Sequence, residues 1–118
     1  MESMVNTWKN LETMDQFEDA IKGSYNRPIV LFKHSVTCGI SARAKFMLED
    51  RWDFNENDFD FYYLDLLSFR NISNEITDRF KVRHQSPQIL IVRDGQAVFD
   101  MSHHRISADS LRSALGSK

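Results

Sequence analysis

The chain has 118 residues, of which 42% are hydrophobic and 27% charged, a balance typical of globular proteins that disfavours disorder. The formal charge of −2 gives no basic footprint, so a nucleic-acid partner is disfavoured. A single cysteine excludes an intramolecular disulfide and suits a reducing cytoplasm, and no stretch resembles a signal peptide or a membrane span. We therefore expect one cytoplasmic domain over residues 1–118, with no membrane contact.

Hydrophobic periodicity predicts strands and helices in alternation along the chain. The first helix should follow Thr13, because Thr13 and Gln16 have the spacing of a capping box, and should end near Gly23. The predicted strands cover residues 5–11, 29–32, 59–66, 88–93 and 96–101. Two further helices are predicted at residues 39–51 and 68–80, and a last helix should follow the cap Ser107.

The second predicted strand leads into the stretch on which the candidate site depends. Residues 29–32 are continuously apolar, as expected for a strand covered on both faces. A polar turn then brings Cys38 to the start of the helix at 39–51. Backbone N–H groups and the helix dipole at such a position favour thiolate over thiol. The predicted apolar face of this helix comprises Ile40, Ala44, Met47 and Leu48, with Lys45 elsewhere.

The order β-α-β-α-β-α-β-β-α predicts an α/β fold with a mixed sheet and helices on both faces. Strands separated by helices pair in parallel through right-handed crossovers. Asp94 and Gly95 form a two-residue turn signal, so the last two strands should make an antiparallel hairpin.

This topology also brings distant loops together. Cys38 follows the carboxyl end of its strand, where open α/β sheets place their sites. The strand at 88–93 should run antiparallel to it, so Ser86 and Pro87 should lie at the same edge. The hairpin partner returns to that edge with residues 102–104. We therefore expect three loops to meet beside Cys38.

These loops resemble those of a known family. The motif Cys38-Gly39-Ile40-Ser41 at a helix start, with a Ser-Pro before the hairpin, is similar to the thioredoxin fold, with serine in place of the second cysteine. The chain more closely resembles the YtxJ-like monothiol bacilliredoxins. The matching stretches are Phe32-Lys33-His34-Ser35, Thr37-Cys38, Ile40-Ser41, Ser86-Pro87-Gln88 and Ser102-His103 with Ile106.

The resemblance implies a thioredoxin-like fold and a monothiol thiol–disulfide oxidoreductase that removes bacillithiol from mixed disulfides of cytoplasmic proteins. Cys38 would be the nucleophile, and Ser41 would donate a hydrogen bond to its thiolate, whose pKa should be about 3.5–7.5. Bacillithiol would be a co-substrate, with no resident cofactor or metal, and we expect a monomer. The resemblance places the substrate contacts at Thr37, Gly39, Ser86, Pro87, Lys33, His34 and His103.

Several of these residues have plainer interpretations. Cys38 could be an inert core thiol. Pro87 could be an ordinary trans proline, although the resemblance favours a cis Ser86–Pro87 bond. Lys33 and His34 could be solvated residues at a strand end, or cations that lower the pKa of Cys38.

Four other basic residues also have more than one possible role. His103 and His104 are a weak metal signal without a cysteine or carboxylate cluster, so contact with the small thiol is the favoured role. Arg43 and Arg105 could bind a carboxylate through paired donors or could simply serve solubility.

Two other functions compete with the leading one. A glutathione-linked, glutaredoxin-like exchanger usually has Gly-Gly-x-Asp where this chain has residues 101–104, Met-Ser-His-His. A non-catalytic binding module or iron–sulfur carrier would resemble proteins with Cys-Gly-Phe-Ser, whereas this chain has Cys-Gly-Ile-Ser. Both departures count against these alternatives.

Overall fold

The computed structural model describes residues 8–37, 39–55 and 57–116. Its elements follow the predicted order. The strands are β1 (Trp8–Asn10), β2 (Ile29–His34), β3 (Asp60–Asp65), β4 (Gln88–Arg93) and β5 (Gln96–Ser102). The helices are α1 (Met14–Gly23), α2 (Gly39–Glu49), α3 (Arg70–Phe80) and α4 (Ala108–Gly116), and one turn of 3-10 helix at His103–Arg105 precedes α4.

The five strands form one mixed sheet in the order β1-β3-β2-β4-β5. β3 pairs in parallel with both β1 and β2, β4 pairs antiparallel with β2, and β5 pairs antiparallel with β4. The predicted α/β fold with a mixed sheet is therefore confirmed, including the antiparallel arrangement of β2 and β4.

β2 lies in the middle of the sheet, and all six of its residues are buried. Val30 and Phe32 belong to the hydrophobic cluster under α2 and α4, whereas Ile29 and Leu31 belong to the cluster under α1 and α3. The helices therefore cover both faces of the sheet. This arrangement explains why residues 29–32 are all apolar. A polar side chain on either face of β2 would be buried, and burying it without a partner costs free energy.

Short-range signals set the ends of two helices as predicted. The hydroxyl of Thr13 accepts the N–H of Gln16 at 3.1 Å, and the side chain of Gln16 accepts the N–H of Thr13 at 3.1 Å, which completes the capping box of α1. The hydroxyl of Ser107 accepts the N–H of Ser110 at 3.0 Å at the start of α4. These bonds satisfy N–H groups that a helix start would otherwise leave unpaired.

The β4–β5 turn has the predicted conformation. Asp94 and Gly95 both have positive φ, 52° and 75°, as the tightest hairpin turns require. Ser24 holds the turn, because its carbonyl accepts the N–H of Asp94 and its hydroxyl accepts the N–H of Gly95, each at 2.9 Å.

Two predictions were wrong in detail. Ile40 was expected on the buried face of α2, but it is 43% exposed, whereas Lys45 is buried there with Ser41. Lys45 tolerates burial because its Nζ lies 2.9 Å from Glu49 Oε2 and its charge lies over the ring of Trp8. The strand expected at 5–11 covers only Trp8–Asn10 of the described residues, and residues 5–7 lie outside them.

Within the described ranges, no helix combines the length and apolarity needed to cross a bilayer.

Candidate functional site

The predicted nucleophile, Cys38, lies outside the described residues. Its covalent neighbours Thr37 and Gly39 are both exposed, and Gly39 is the first residue of α2. β2 ends at His34, so Thr37 and Gly39 lie beyond the carboxyl end of the central strand. The first turn of α2 contains no acidic residue that would oppose an anion.

The three predicted loops meet at this edge of the sheet. Lys33 of β2 pairs with Gln88 of β4, and Gln88 pairs with Ser102 of β5, so the ends of the three strands are in register. The Ser86–Pro87 bond is cis, as the resemblance implied. The N–H of His103 donates to the carbonyl of Pro87 at 3.1 Å, which joins two of the loops directly.

The side chain of Gln88 braces the loop that contains the cis bond. Its Nε2 donates to the carbonyl of Arg83 at 3.0 Å, and its Oε1 accepts the N–H of Gln85 at 3.3 Å. Gln88 is 1% exposed, so these bonds also satisfy a buried amide.

His103 has a backbone conformation that is rare for a residue with a Cβ. Its φ is 54°, in the left-handed region, where histidine is tolerated better than most side chains. Two backbone hydrogen bonds stabilise this conformation. The N–H of His103 donates to the carbonyl of Pro87, and the carbonyl of His103 accepts the N–H of Ile106 at 3.3 Å. Such conformations are often found at functional sites.

Ser41 is fully buried one helical turn after Cys38 in the sequence. Its hydroxyl oxygen accepts the N–H of Ser35 at 3.3 Å, and the hydroxyls of Ser35 and Thr37 lie 3.3 Å apart. Ser41 thus ties the start of α2 to the turn after β2. A hydroxyl that accepts one bond still has its own proton to donate.

Lys33 is a fully buried cation beside the site. Its Nζ lies 2.8 Å from Nδ1 of His84, a residue of the loop before the cis bond. Burial lowers the pKa of Lys33 from 10.5 to about 8. Burial, and then the charge of Lys33, also lowers the pKa of His84. The interpretation of Lys33 as a solvated residue is therefore wrong.

His34 is buried on the opposite face of β2, with 1% of its surface exposed. Its Nδ1 lies 2.9 Å from the hydroxyl of Tyr63. Burial, reinforced by the charge of Lys45, lowers the pKa of His34 from 6.5 to about 4. His34 is therefore neither solvated nor a cation at neutral pH, because burial outweighs the backbone hydrogen bond with Ser41 that acts to raise its pKa.

The remaining candidates line two neighbouring depressions of the surface. His103, His104 and Arg43 line one small cavity, and Arg105 lines a groove between β5 and α4 that shares His104 with it. No group of three or more metal-ligating side chains occurs within residues 8–37, 39–55 and 57–116.

Sequence reasoning did not identify three polar residues around the site: His84, Tyr63 and Lys45. The spacing of Lys45 and Glu49, four residues apart on one helix, is a signal that could have indicated their ion pair. His84 and Tyr63 are distant in sequence from the residues that they contact, so no local pattern could have indicated them.

Comparison with known proteins identifies the family. Residues 9–111 match the family model described as monothiol bacilliredoxin BrxC. The chain belongs to the monothiol bacilliredoxin family. Membership implies a bacilliredoxin-type thiol–disulfide oxidoreductase whose partners are proteins and a low-molecular-weight thiol.

Solved structures confirm the thioredoxin-like fold of this bacilliredoxin. A thioredoxin-fold protein assigned as an oxidoreductase is 34% identical, with a TM-score of 0.74, and the match covers 92% of this chain and 93% of that one. Fasciola hepatica thioredoxin is 17% identical, with a TM-score of 0.71 over 91% and 95% of the two chains. Spinach chloroplast thioredoxin F is 21% identical, with a TM-score of 0.70 over 98% and 96%.

The low pKa of His34 predicts an acid-dependent loss of stability. The unfolded chain binds a proton at His34 below about pH 6.5, whereas the folded chain does so only near pH 4. The free energy of unfolding should therefore fall as the pH drops through this window, by about 3 kcal/mol in total from this residue. Urea unfolding of wild type and His34→Gln between pH 4 and 7 measures the difference. Equal slopes for the two proteins would contradict the prediction, and His104→Gln controls for loss of an exposed histidine.

Burial of Lys33 predicts a gain in stability when its charge is removed. Lys33→Met should raise the free energy of unfolding at pH 7 by up to about 3 kcal/mol, because the folded state no longer buries a cation. The gain should shrink as the pH rises from about 8 to 10.5, where the wild-type amine loses its proton. Lys45→Met is the contrasting variant, since it breaks the ion pair with Glu49 and should destabilise. A destabilised Lys33→Met protein at pH 7 would refute the interpretation.

Proposed function

We propose that this protein removes bacillithiol from mixed disulfides of cytoplasmic proteins, with Cys38 as the nucleophile. The Cys38 thiolate attacks the bacillithiol sulfur, an S–S bond to Cys38 forms, and the target protein leaves as a thiolate. A second thiol then attacks the Cys38 adduct and restores the Cys38 thiolate. Each step exchanges one disulfide for another, so the reaction needs no external oxidant.

The observation that carries the proposal is the convergence of three loops around the residues that adjoin Cys38. Thr37 and Gly39 are exposed beyond the end of β2, and the cis Ser86–Pro87 loop ends on the neighbouring strand. His103 is hydrogen-bonded to Pro87. This arrangement supports an accessible sulfur with backbone groups alongside it, where an incoming disulfide can be aligned.

Two groups support an activated thiolate at position 38. The helix α2 begins at Gly39, so the positive end of its dipole lies next to Cys38 in the chain. Ser41 has a hydroxyl proton to donate from one turn further along the helix. Lys33 is not counted with them, because its side chain lies on the face of β2 opposite to the one that α2 covers.

The monothiol mechanism follows from the cysteine count of the sequence. With a single cysteine in the chain, and Ser41 in the position of the second motif sulfur, no internal thiol can resolve the Cys38 adduct. The second thiol must come from another molecule. Thr37, Gly39, Ser86, Pro87 and His103 are the residues we propose to contact the bound disulfide. Lys33 and His34, also expected as substrate contacts, are left out because both side chains are buried.

Exchange activity tests the proposal directly. A protein carrying bacillithiol on a cysteine, incubated with the wild-type protein, should lose the bacillithiol, and a bacillithiol adduct should appear on Cys38 by mass spectrometry. Cys38→Ala should show neither. The same protein carrying glutathione is the matched control and should react more slowly. Absence of both release and adduct in wild type would refute the proposal, and faster release of glutathione would favour the glutaredoxin-like alternative.

Alkylation of Cys38 tests the activated thiolate. The rate of reaction with iodoacetamide should reach half its plateau below pH 7, because the thiolate is the reactive form. Ser41→Ala should raise this midpoint by about one pH unit, as expected for loss of one hydrogen bond to a charged group. Ser73→Ala, which changes a buried serine of α3, should leave it unchanged. A wild-type midpoint near 8.5 would remove the argument for activation.

A further inference from the structure

A small cavity lies between the first turns of α2 and the 3-10 turn that follows β5. Its volume is about 60 Å³, the space of roughly two water molecules, which is also the size of a carboxylate group. The seven described residues that line it are Ile40, Arg43, Ala44, Met47, His103, His104 and Ile106.

The cavity adjoins the candidate site on two sides. Ile40 is the second residue of α2, so this wall begins two residues after Cys38 in the chain. His103 forms the opposite wall, and its N–H is bonded to the carbonyl of Pro87 in the cis loop. A molecule disulfide-bonded to Cys38 could therefore extend into the cavity without leaving the site.

The cavity has positive charge and no negative charge on its described lining. The guanidinium group of Arg43 has five N–H donors, which match a carboxylate in a planar, two-bond arrangement. His103 and His104 provide ring nitrogens on the opposite wall. None of the seven lining residues is acidic.

These basic groups are not engaged by the rest of the described chain. Arg43, His103 and His104 have no side-chain hydrogen bond or ion pair within residues 8–37, 39–55 and 57–116. Asp109, the acidic residue of the neighbouring groove, lies 3.0 Å from Arg112 and 3.8 Å from Arg51. No residue in these described ranges therefore occupies the donors of Arg43.

We propose that this cavity binds a carboxylate of the low-molecular-weight thiol that Cys38 exchanges. The inference rests on the proposed function and deepens it, because it assigns Arg43 and His104 to the selection of the small thiol by its negative charge. The volume favours a single carboxylate over a polypeptide segment of the target protein. Ile40, Met47 and Ile106 give the cavity an apolar side against which the carbon skeleton of such a thiol can pack.

The test compares three mixed disulfides of one neutral cysteine peptide, made with mercaptosuccinate, 2-mercaptoethanol or cysteamine. These small thiols are anionic, neutral and cationic. The measured quantity is the second-order rate of peptide release, expressed as the ratio of the anionic to the neutral disulfide. Comparison of this ratio between protein variants cancels the intrinsic reactivity of each disulfide.

Wild type should favour the mercaptosuccinate disulfide by about tenfold, the expected size of one hydrogen-bonded charge contact. Arg43→Gln should bring the ratio close to one. His104→Gln should lower the ratio by a smaller factor. Lys22→Gln removes an exposed positive charge at the end of α1, near the opposite edge of the sheet, and should keep the wild-type ratio.

An unchanged ratio in Arg43→Gln would overturn the inference and leave the proposed function intact. Failure of wild type to react with any of the three disulfides, together with failure to release bacillithiol from a bacillithiolated protein, would overturn both. A further peptide places Asp on each side of its cysteine and carries the neutral thiol. If dependence on Arg43 followed those acids, the cavity would serve the protein target, and the assignment to the small thiol would be wrong.

Discussion

The hydrogen-bond register across β2, β4 and β5 is the constraint on which the site depends. Lys33, Gln88 and Ser102 stand side by side, so a shift of one residue in either pairing would separate the cis-proline loop from the other two. It would also exchange the faces of an entire strand, because side chains alternate along it. Each face of β2 and β4 contacts a different hydrophobic cluster, so the core holds the register that the site requires.

The last two residues of the same central strand are basic and buried in the protein interior. Lys33 and His34 point to opposite faces, and burial disfavours the charged form of both. Hydrophobic residues at these positions would suit the core better. Lys33 and His34 therefore lower the stability of the folded protein beside the candidate nucleophile, a pattern typical of functional sites.

Much of this architecture was predictable because its signals are local. The capping box at Thr13, the turn at Asp94 and the continuous apolar run of β2 each depend on a few adjacent residues. The meeting of three loops followed from strand order and direction alone. The cis Ser86–Pro87 bond came from resemblance to the thioredoxin fold, since no property of the dipeptide alone requires it.

The errors arose where tertiary partners changed the usual behaviour of a side chain. Periodicity assigned Lys45 to solvent and Ile40 to the core, but a helix start at a site edge exposes its first apolar residue. Lys45 is buried because Glu49 and the ring of Trp8 compensate its charge. Burial of Lys33 depends on His84, fifty-one positions further along the chain, and no local pattern contains that information.

The left-handed conformation of His103 has a consequence for how this fold can diversify. A position with φ near 54° readily accepts only glycine and a few short or polar residues, chiefly asparagine, aspartate and histidine. These four differ in charge and in hydrogen-bonding groups but share a tolerance for one backbone shape. Substitution among these four at position 103 thus changes the charge and hydrogen-bonding groups of the loop without changing its backbone. Position 103, one of the proposed ligand contacts, can therefore change its side chain at little cost to folding.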